Sequence, residues 1–566
     1  MTSGVESLTV PSAAAAGDDR KRRLPVLPVA ALLKAQQTLT AVERFARQHE
    51  EGAVPLQAKY YRDLIPLERP RPGEQYAFQV DLDACTGCKA CVSACHSLNG
   101  LDASEVWRTV GQLHGGTAAA PALQMVTTSC HHCIDPACMN GCPTRAYEKD
   151  PVTGVVKHLD DQCFGCEYCT LMCPYDAPKY NRDRGIVRKC DMCSERLAHG
   201  EAPACVQACP NGAISIQVIE KTAVIEAANA QSFVPGAPDP QHTLPTTLYK
   251  TKKVMPGNML PVDFYRTSPE HAHPALVSML ILTQLSVGAF VTDLAMERIS
   301  GHSAVGPHVQ AAGASVLAAL AMGASVLHLG RPLLAWRGFL GFRTSWLSRE
   351  IVAFTLFALL TGASGVAASA RLFPGLSGAP GIAHAVPILQ DLAAVAGLFG
   401  VFCSTMVYVA TRREPWSASQ TGLKFFGSVL LLGAATFLVV HACAVRPSSL
   451  DRFERSLFVL VAGVTAIKTA HEARVLRHRN DPRQSTPKRM ALVMLGELRS
   501  ATTVRFGFGL AGGALVPFFA WLSGFEGKKA APLAVAMLVL LLVGELAERH
   551  LFFRAAPASR MPGSLR

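Results

Sequence analysis

Sixteen of the 18 cysteines in this chain lie between Cys85 and Cys209, and they lie in four tight runs. The first is Cys85, Cys88, Cys91 and Cys95, and the second is Cys130, Cys133, Cys138 and Cys142. The third is Cys163, Cys166, Cys169 and Cys173, and the fourth is Cys190, Cys193, Cys205 and Cys209. The first and third share the spacing C-x2-C-x2-C-x3-C. The second widens its middle gap to four residues, and the fourth carries an eleven-residue insertion. Proline follows the last cysteine in three runs (Pro143, Pro174, Pro210), and His96 takes that place in the first.

Thiolates are soft ligands suited to iron–sulfur clusters, and a C-x2-C-x2-C loop wraps three corners of a cube. The fourth thiol, three residues on, points away and ligates the other cluster of a pair. Four runs therefore make two such units, with sixteen cysteines for four [4Fe–4S] cubes and no ligand vacancy. Structural zinc uses two separated C-x2-C pairs, so a third cysteine in the same tight loop is surplus to it. A disulfide framework needs an oxidising compartment, and cysteines this close bridge poorly. With the thiolate count complete, His131 and His132 read as supporting or surface residues. Cys85, Cys88 and Cys91 take their fourth ligand from a partner run, which the crossing rule does not identify. Arg188 and Lys189 are expected to raise a nearby cluster potential, which follows local charge and hydrogen bonding to sulfur.

Other candidates lie in apolar surroundings. The chain is 49% hydrophobic and only 17% charged, with a mean hydropathy of +0.23, and this composition points to membrane segments. Its net charge of +12 fits basic loops beside membrane helices. No aromatic-studded basic patch of a nucleic-acid binder stands out. Eight segments approach bilayer-spanning length, over roughly 275–293, 308–328, 350–369, 386–409, 422–444, 454–471, 504–524 and 531–552. Polar residues at such spans are functional candidates by default. They are His328 in LHLGRP, Glu350 in LSREI, Tyr408, Lys468, His471, Glu472, Glu545 and Glu548. Alternating helix direction gathers them on the face where the cysteine-rich part emerges. His328 and Glu350 are expected to meet across the turn between the second and third spans. A diheme anchor would need facing histidine pairs; His384 and His441 form none, so the anchor reads as heme-free. Cys403 and Cys443 read as small core residues.

These positions imply an organisation. Residues 1–75 form an N-terminal extension, whose basic Arg20–Arg23 stretch and short proline-broken apolar run do not make a signal peptide. Residues 30–47 have the periodicity of an amphipathic helix. Residues 76–220 are the cluster domain, 221–273 a proline-rich linker, and 274–566 the anchor. The expected fold class is an α+β ferredoxin-like four-cluster domain followed by an all-α membrane domain of eight transmembrane helices.

Residues 76–220 resemble the four-cluster ferredoxin subunit of the dimethyl sulfoxide reductase family of molybdoenzymes. Residues 274–566 resemble its eight-helix anchor through LHLGRP, the Ser348–Ile351 turn and the ending ELAERHLFFRA…RMPG. The family's ferredoxin subunit starts near its first cysteine, whereas some 80 residues precede it here. The resemblance implies that the first run shares clusters with the fourth, and the second with the third. Cys85, Cys88, Cys91 and Cys209 would hold one cube, and Cys190, Cys193, Cys205 and Cys95 the next. Cys130, Cys133, Cys138 and Cys173 would hold the third, and Cys163, Cys166, Cys169 and Cys142 the last. It also implies a quinol site at His328 and Glu350, and a separate molybdopterin-containing catalytic subunit that reduces an S- or N-oxide. The alternatives are reverse flow from a dehydrogenase to quinone, and a membrane-tethered redox sensor. Loop charge predicts a multi-pass protein of the bacterial inner membrane with the cluster domain on the cytoplasmic side.

Overall fold

The strands around the cysteine runs are three to eight residues long and mix buried with part-buried positions. A computed structural model describes residues 58–300, 306–370, 380–444, 452–523 and 527–563, with Thr40, Glu43, Arg47 and Phe525. The helix expected over 30–47 falls largely outside the described residues. Tyr61–Arg566 form one compact unit.

Strand β1 (Glu74–Asp81) precedes the first run. A hairpin of β2 (Thr109–Gly116) and β3 (Pro121–Thr128) leads into the second. The hairpin β4 (Tyr147–Lys149) and β5 (Val156–His158) separates the second run from the third. The hairpin β6 (Lys179–Asn181) and β7 (Ile186–Arg188) separates the third from the fourth. Strand β8 (Ile214–Glu220) follows the fourth and returns antiparallel to β1, pairing Val80 with Ile214. That closure brings the two ends of the cysteine-rich stretch together, with the second and third runs between hairpins.

The stretch expected as a linker belongs to the same layer. Strand β9 (Leu248–Lys250) adds parallel to β1, and β10 (Leu260–Pro261) adds to β2. Short strand additions carry little hydrophobic periodicity, and proline-rich composition hides them.

Long helices fill the rest: α1 (Pro274–Ser300), α2 (Pro307–Leu327), α3 (Trp346–Ala370), α4 (Pro380–Val409), α5 (Ala418–Ala444) and α6 (Arg452–Leu476). Helix α7 runs through Arg499–Leu510, a π-helical stretch Ala511–Leu515 and Val516–Ser523; α8 is Gly527–Arg554. Among the described residues, seven of these are long and apolar enough to cross a membrane. The exception is α6, which has the length, at 25 residues, but carries Glu454, Arg455, Lys468, Glu472 and Arg474. Small residues let the helices touch: a Cβ on Gly433 of α5 would lie 2.4 Å from the Gly288 carbonyl oxygen of α1. Cys403 is buried as expected of a core residue, whereas Cys443 is exposed.

Candidate functional site

Each cysteine run bends by the same local device. The residue before its second cysteine is left-handed in all four, at Gly87 (φ 73°), His132 (φ 43°), Gly165 (φ 76°) and Met192 (φ 62°). Glycine adopts this at no steric cost, while at His132 and Met192 it costs on the order of 1–3 kcal/mol. Turns that mix right- and left-handed residues converge their N–H groups on an anion, as a thiolate-held cluster is. Backbone N–H groups also reach sulfur directly: Ala146 to Cys142 at 3.3 Å, Met192 to Cys190 at 3.4 Å and Ala213 to Cys209 at 3.2 Å.

The fold assembles the sulfurs into four groups. Cys88, Cys91 and Cys209 are the charge neighbours of Cys85. Cys95 has Cys205 and Cys193, and Cys133 has Cys130 and Cys173. Cys169 faces Cys166, Cys142 and Cys163. Small cavities open inside two of the groups, one ringed by Cys130, Cys133, Cys138 and Cys173 and the other by Cys95, Cys190, Cys193 and Cys205. The two cavities are each ringed by four cysteines, a soft all-thiolate donor set of the kind that holds a [4Fe–4S] cube. Burial, with help from neighbouring thiols, pushes Cys95 up to about 12. Such thiols ionise by surrendering their proton to metal binding.

Both histidines of the second run are buried. His131 Nδ1 bonds Thr247 Oγ1 at 2.8 Å, and His132 Nδ1 accepts from the Val156 N–H at 3.0 Å. They brace the loop, as supporting residues would. Arg188 pairs with Glu105 at 2.9 Å, and its guanidinium lies over Trp107.

The group holding Cys166 rests on the membrane helices. Residues of LHLGRP make the contact one by one. His328 Nε2 lies 3.2 Å from the Cys166 carbonyl oxygen, and the Arg331 N–H donates to the Phe164 carbonyl at 3.0 Å. The Arg331 side chain donates to the Asp160 carbonyl at 2.7 Å. Gly330 meets Gly185 backbone to backbone, so closely that a Cβ there would lie 2.2 Å from the Gly185 carbonyl oxygen. Below this contact is a cavity of about 220 Å³, lined by Cys166 and Tyr168 above and by His328, Glu350, Phe354 and Tyr408 of the helices. It is mainly apolar with a few convergent polar groups, as small-molecule sites are. His328 and Glu350 share this cavity but have different partners, since Glu350 accepts from the Ser404 hydroxyl.

The remaining polar candidates form a second cluster, buried between helices. Arg505 of α7 holds Glu472 of α6 through two bonds, at 2.7 and 2.8 Å, and Glu545 of α8 at 2.8 Å. Lys468 also pairs with Glu545. Glu548 pairs with Arg549 and, at 3.3 Å, with Lys424 of α5. Sequence reasoning singled out Lys468, Glu472, Glu545 and Glu548 but missed Arg505 and Arg549. A charged residue one turn inside a span end looks like a snorkelling side chain until its partners on other helices are known. His471 makes no hydrogen bond or ion pair with this network among the described residues, and His441 pairs with Glu454 at 3.2 Å.

Comparison with known proteins matches both parts. Residues 270–554 match the DMSO reductase anchor subunit family, half of the chain. The chain belongs to that family. Residues 121–219, holding the last three cysteine runs, match a 4Fe-4S dicluster domain. The B subunit of anaerobic dimethyl sulfoxide reductase from Haemophilus influenzae is 35% identical over 189 residues, 32% of this chain and 91% of that protein. The thiosulfate reductase electron transfer subunit PhsB of Salmonella typhi is 36% identical over 155 residues, 26% of this chain and 79% of that protein. Hydrogenase-2 operon protein HybA of Escherichia coli O157:H7 is 33% identical over 194 residues, 30% of this chain and 58% of that protein. This DMSO reductase-type chain thus joins an iron–sulfur electron-transfer part to a multi-pass membrane anchor.

Proposed function

We propose that the chain oxidises a quinol in the cavity beneath Cys166 and passes its electrons to a separate molybdopterin-bearing subunit that reduces an S- or N-oxide. The observation that carries this is the cavity wall itself, shared between membrane helices and a cysteine of the third run. A lipid-soluble donor can enter there, beside exposed Leu327 and Leu333, and react without crossing further protein. The sixteen cysteines would hold four [4Fe–4S] clusters, which when bound supply single-electron transfer. Quinol gives up two electrons and two protons. His328 and Glu350 are placed to accept the protons, as an imidazole and a carboxylate can. Tyr168 holds the roof in place, donating to the Val407 carbonyl at 2.8 Å.

In this reading the anchor spans a bacterial inner membrane eight times, α6 included, without heme, and the cluster domain faces the cytoplasm. Lys468 and Glu472 of α6 pair with charges on other helices, which removes their objection to a membrane setting. Likeness to a hydrogenase operon protein supports the reverse direction as the second reading.

The deciding experiment follows cluster reduction in the purified chain by visible absorption after anaerobic addition of a short-chain quinol. Rapid bleaching that requires His328 is expected. Clusters that dithionite reduces and quinol does not would end the proposal.

A further inference from the structure

Two cations are sealed inside the iron–sulfur part, and neither forms an ion pair with a carboxylate among the described residues; Asp191 lines the same cavity as Arg108, but its carboxylate accepts from the Cys193 N–H at 2.9 Å. Arg108 and Lys189 are each 2% exposed. Arg108 Nη1 donates to Thr127 Oγ1 at 3.2 Å, and that hydroxyl lies 3.6 Å from Cys91 Sγ. Its Nη2 donates to Ser129 Oγ at 2.9 Å, and the guanidinium stacks 4.7 Å over Phe78. The same side chain lines the cavity ringed by Cys95, Cys190, Cys193 and Cys205. Arg108 thus stands between the group containing Cys91 and the group containing Cys95.

Lys189 repeats the arrangement one gap further on. Its Nζ donates to the Val156 carbonyl and, at 2.9 Å, to the Cys190 carbonyl. It also lines the cavity ringed by Cys130, Cys133, Cys138 and Cys173. The gap beyond holds no such cation among the described residues. There the buried Tyr147 packs with Cys138 on one side and Cys142, Cys163 and Cys169 on the other. Lys149 and Arg331 approach from outside and are held by backbone carbonyls.

Burying a full positive charge without a counter-charge is costly, and hydroxyls and carbonyls only solvate it. The negative groups around Arg108 are Cys205, Cys91, Cys190 and Cys95; those around Lys189 are Cys130, Cys138 and Cys190. Thiolate-held cubes are therefore the counter-charge. A fixed cation favours the more negative, reduced state of a neighbouring cluster and so raises its potential.

We propose that Arg108 and Lys189 set cluster potentials, each shared by the two clusters on either side of its gap. The group of Cys95, Cys190, Cys193 and Cys205 lies between both cations and is raised by both. Electrons arriving near Cys166 are thereby drawn away from the membrane, toward the first and fourth runs. This rests on the four-cluster reading of the proposed function.

The test is a redox titration of the intact purified protein, with each cluster followed by electron paramagnetic resonance. In Arg108→Gln, two potentials fall, and the reduced-to-oxidised ratio at the wild-type midpoint drops at least about tenfold. In Lys189→Met, two fall likewise, and one cluster responds to both variants. Tyr147→Phe leaves all four within a smaller range. If the neutral variants lose iron, Arg108→Lys and Lys189→Arg replace them, with smaller shifts confined to the same cluster pairs. Unmoved potentials, or equal movement of all four, at wild-type iron content overturn the assignment alone. Fewer than four clusters in the wild-type protein overturns the underlying reading too, and shows before any variant is made.

Discussion

The imidazole Nε2 of His328 and the carbonyl oxygen of Cys166 are 3.2 Å apart, joining the end of a membrane helix to a cysteine loop. A carbonyl can only accept, so Nε2 carries the hydrogen and a neutral ring keeps Nδ1 as a proton acceptor. The ring of His273 packs edge-on against it at 5.8 Å. His328→Ala should abolish quinol-driven cluster reduction while iron content stays at the wild-type level. Glu350→Gln should do the same, because it keeps the shape and loses the base. Stopped-flow absorbance with quinol, against a dithionite control, reads both. Normal rates in the two variants would remove these residues from the site.

The backbone contact behind that hydrogen bond gives a second prediction. Gly330 and Gly185 meet so closely that a Cβ at Gly330 must displace the Gly185 carbonyl. Gly330→Ala should therefore part the cluster domain from the anchor locally and move His328. Cluster content and dithionite reduction should survive, while quinol-driven reduction slows by roughly tenfold or more, as expected when a reacting geometry shifts by about 1 Å. A variant that keeps full quinol activity would show that the contact tolerates the displacement.

Metal content tests the cysteine groups. Anaerobically purified protein should hold about sixteen irons, four for each of four cubes, without stoichiometric zinc. Cys166→Ser should perturb one cluster signal and slow transfer, leaving the other groups largely intact. Elemental analysis showing zinc at about four per chain and little iron would refute the cluster reading.

The network around Arg505 gives a stability prediction. Arg505 satisfies Glu472 and Glu545 together in a buried setting. Removing one member of a buried pair leaves an uncompensated charge, which costs about 3–5 kcal/mol. Arg505→Met should thus lower thermal stability in detergent strongly, and adding Glu472→Gln to it should recover part of the loss. A double variant no more stable than the single one would mean that the charges are not coupled.

What could be read from the sequence was what is local. The cysteine runs announce themselves because ligand spacing is a property of a few consecutive residues. How the runs combine depends on β8 returning to β1 across more than a hundred residues, which no run encodes by itself. Glu350 was found from its place at a span end, but its Ser404 partner sits on another helix. Arg108 had no signal at all, lying in an ordinary stretch far in sequence from two of the four thiols around it, Cys190 and Cys205. The polar face of α6 makes the same point, because Lys468 is intelligible in a membrane only beside Glu545.

Orientation is the last prediction, and domain docking bears on which cations count toward it. Loops on the cluster side hold Arg331, Arg337, Arg343 and Arg349, then Arg412, Arg413 and Lys424, then Arg474, Arg477, Arg479, Arg483, Lys488 and Arg489. The opposite loops hold Arg298, Arg371, Arg446, Arg452, Arg455, Lys528 and Lys529. Some cluster-side cations have structural work there: Arg331, Arg337 and Arg413 donate to carbonyls of Asp160, Asp161 and Leu171. Lys424 belongs to the buried network. In the run from Arg474 to Arg489, Arg489 lies near Asp263 and Glu270; the run donates to no carbonyl of residues 76–220 among the described residues, and it carries the topological signal. Positive charge near span ends stays cytoplasmic, so the cluster domain should face the cytoplasm. Quinol oxidation and substrate reduction would then occur on one side, moving little charge across the membrane. A C-terminal green fluorescent reporter should light up, while alkaline phosphatase at the same position should stay inactive. Active phosphatase without fluorescence would place the domain outside and leave the loop arginines to docking alone.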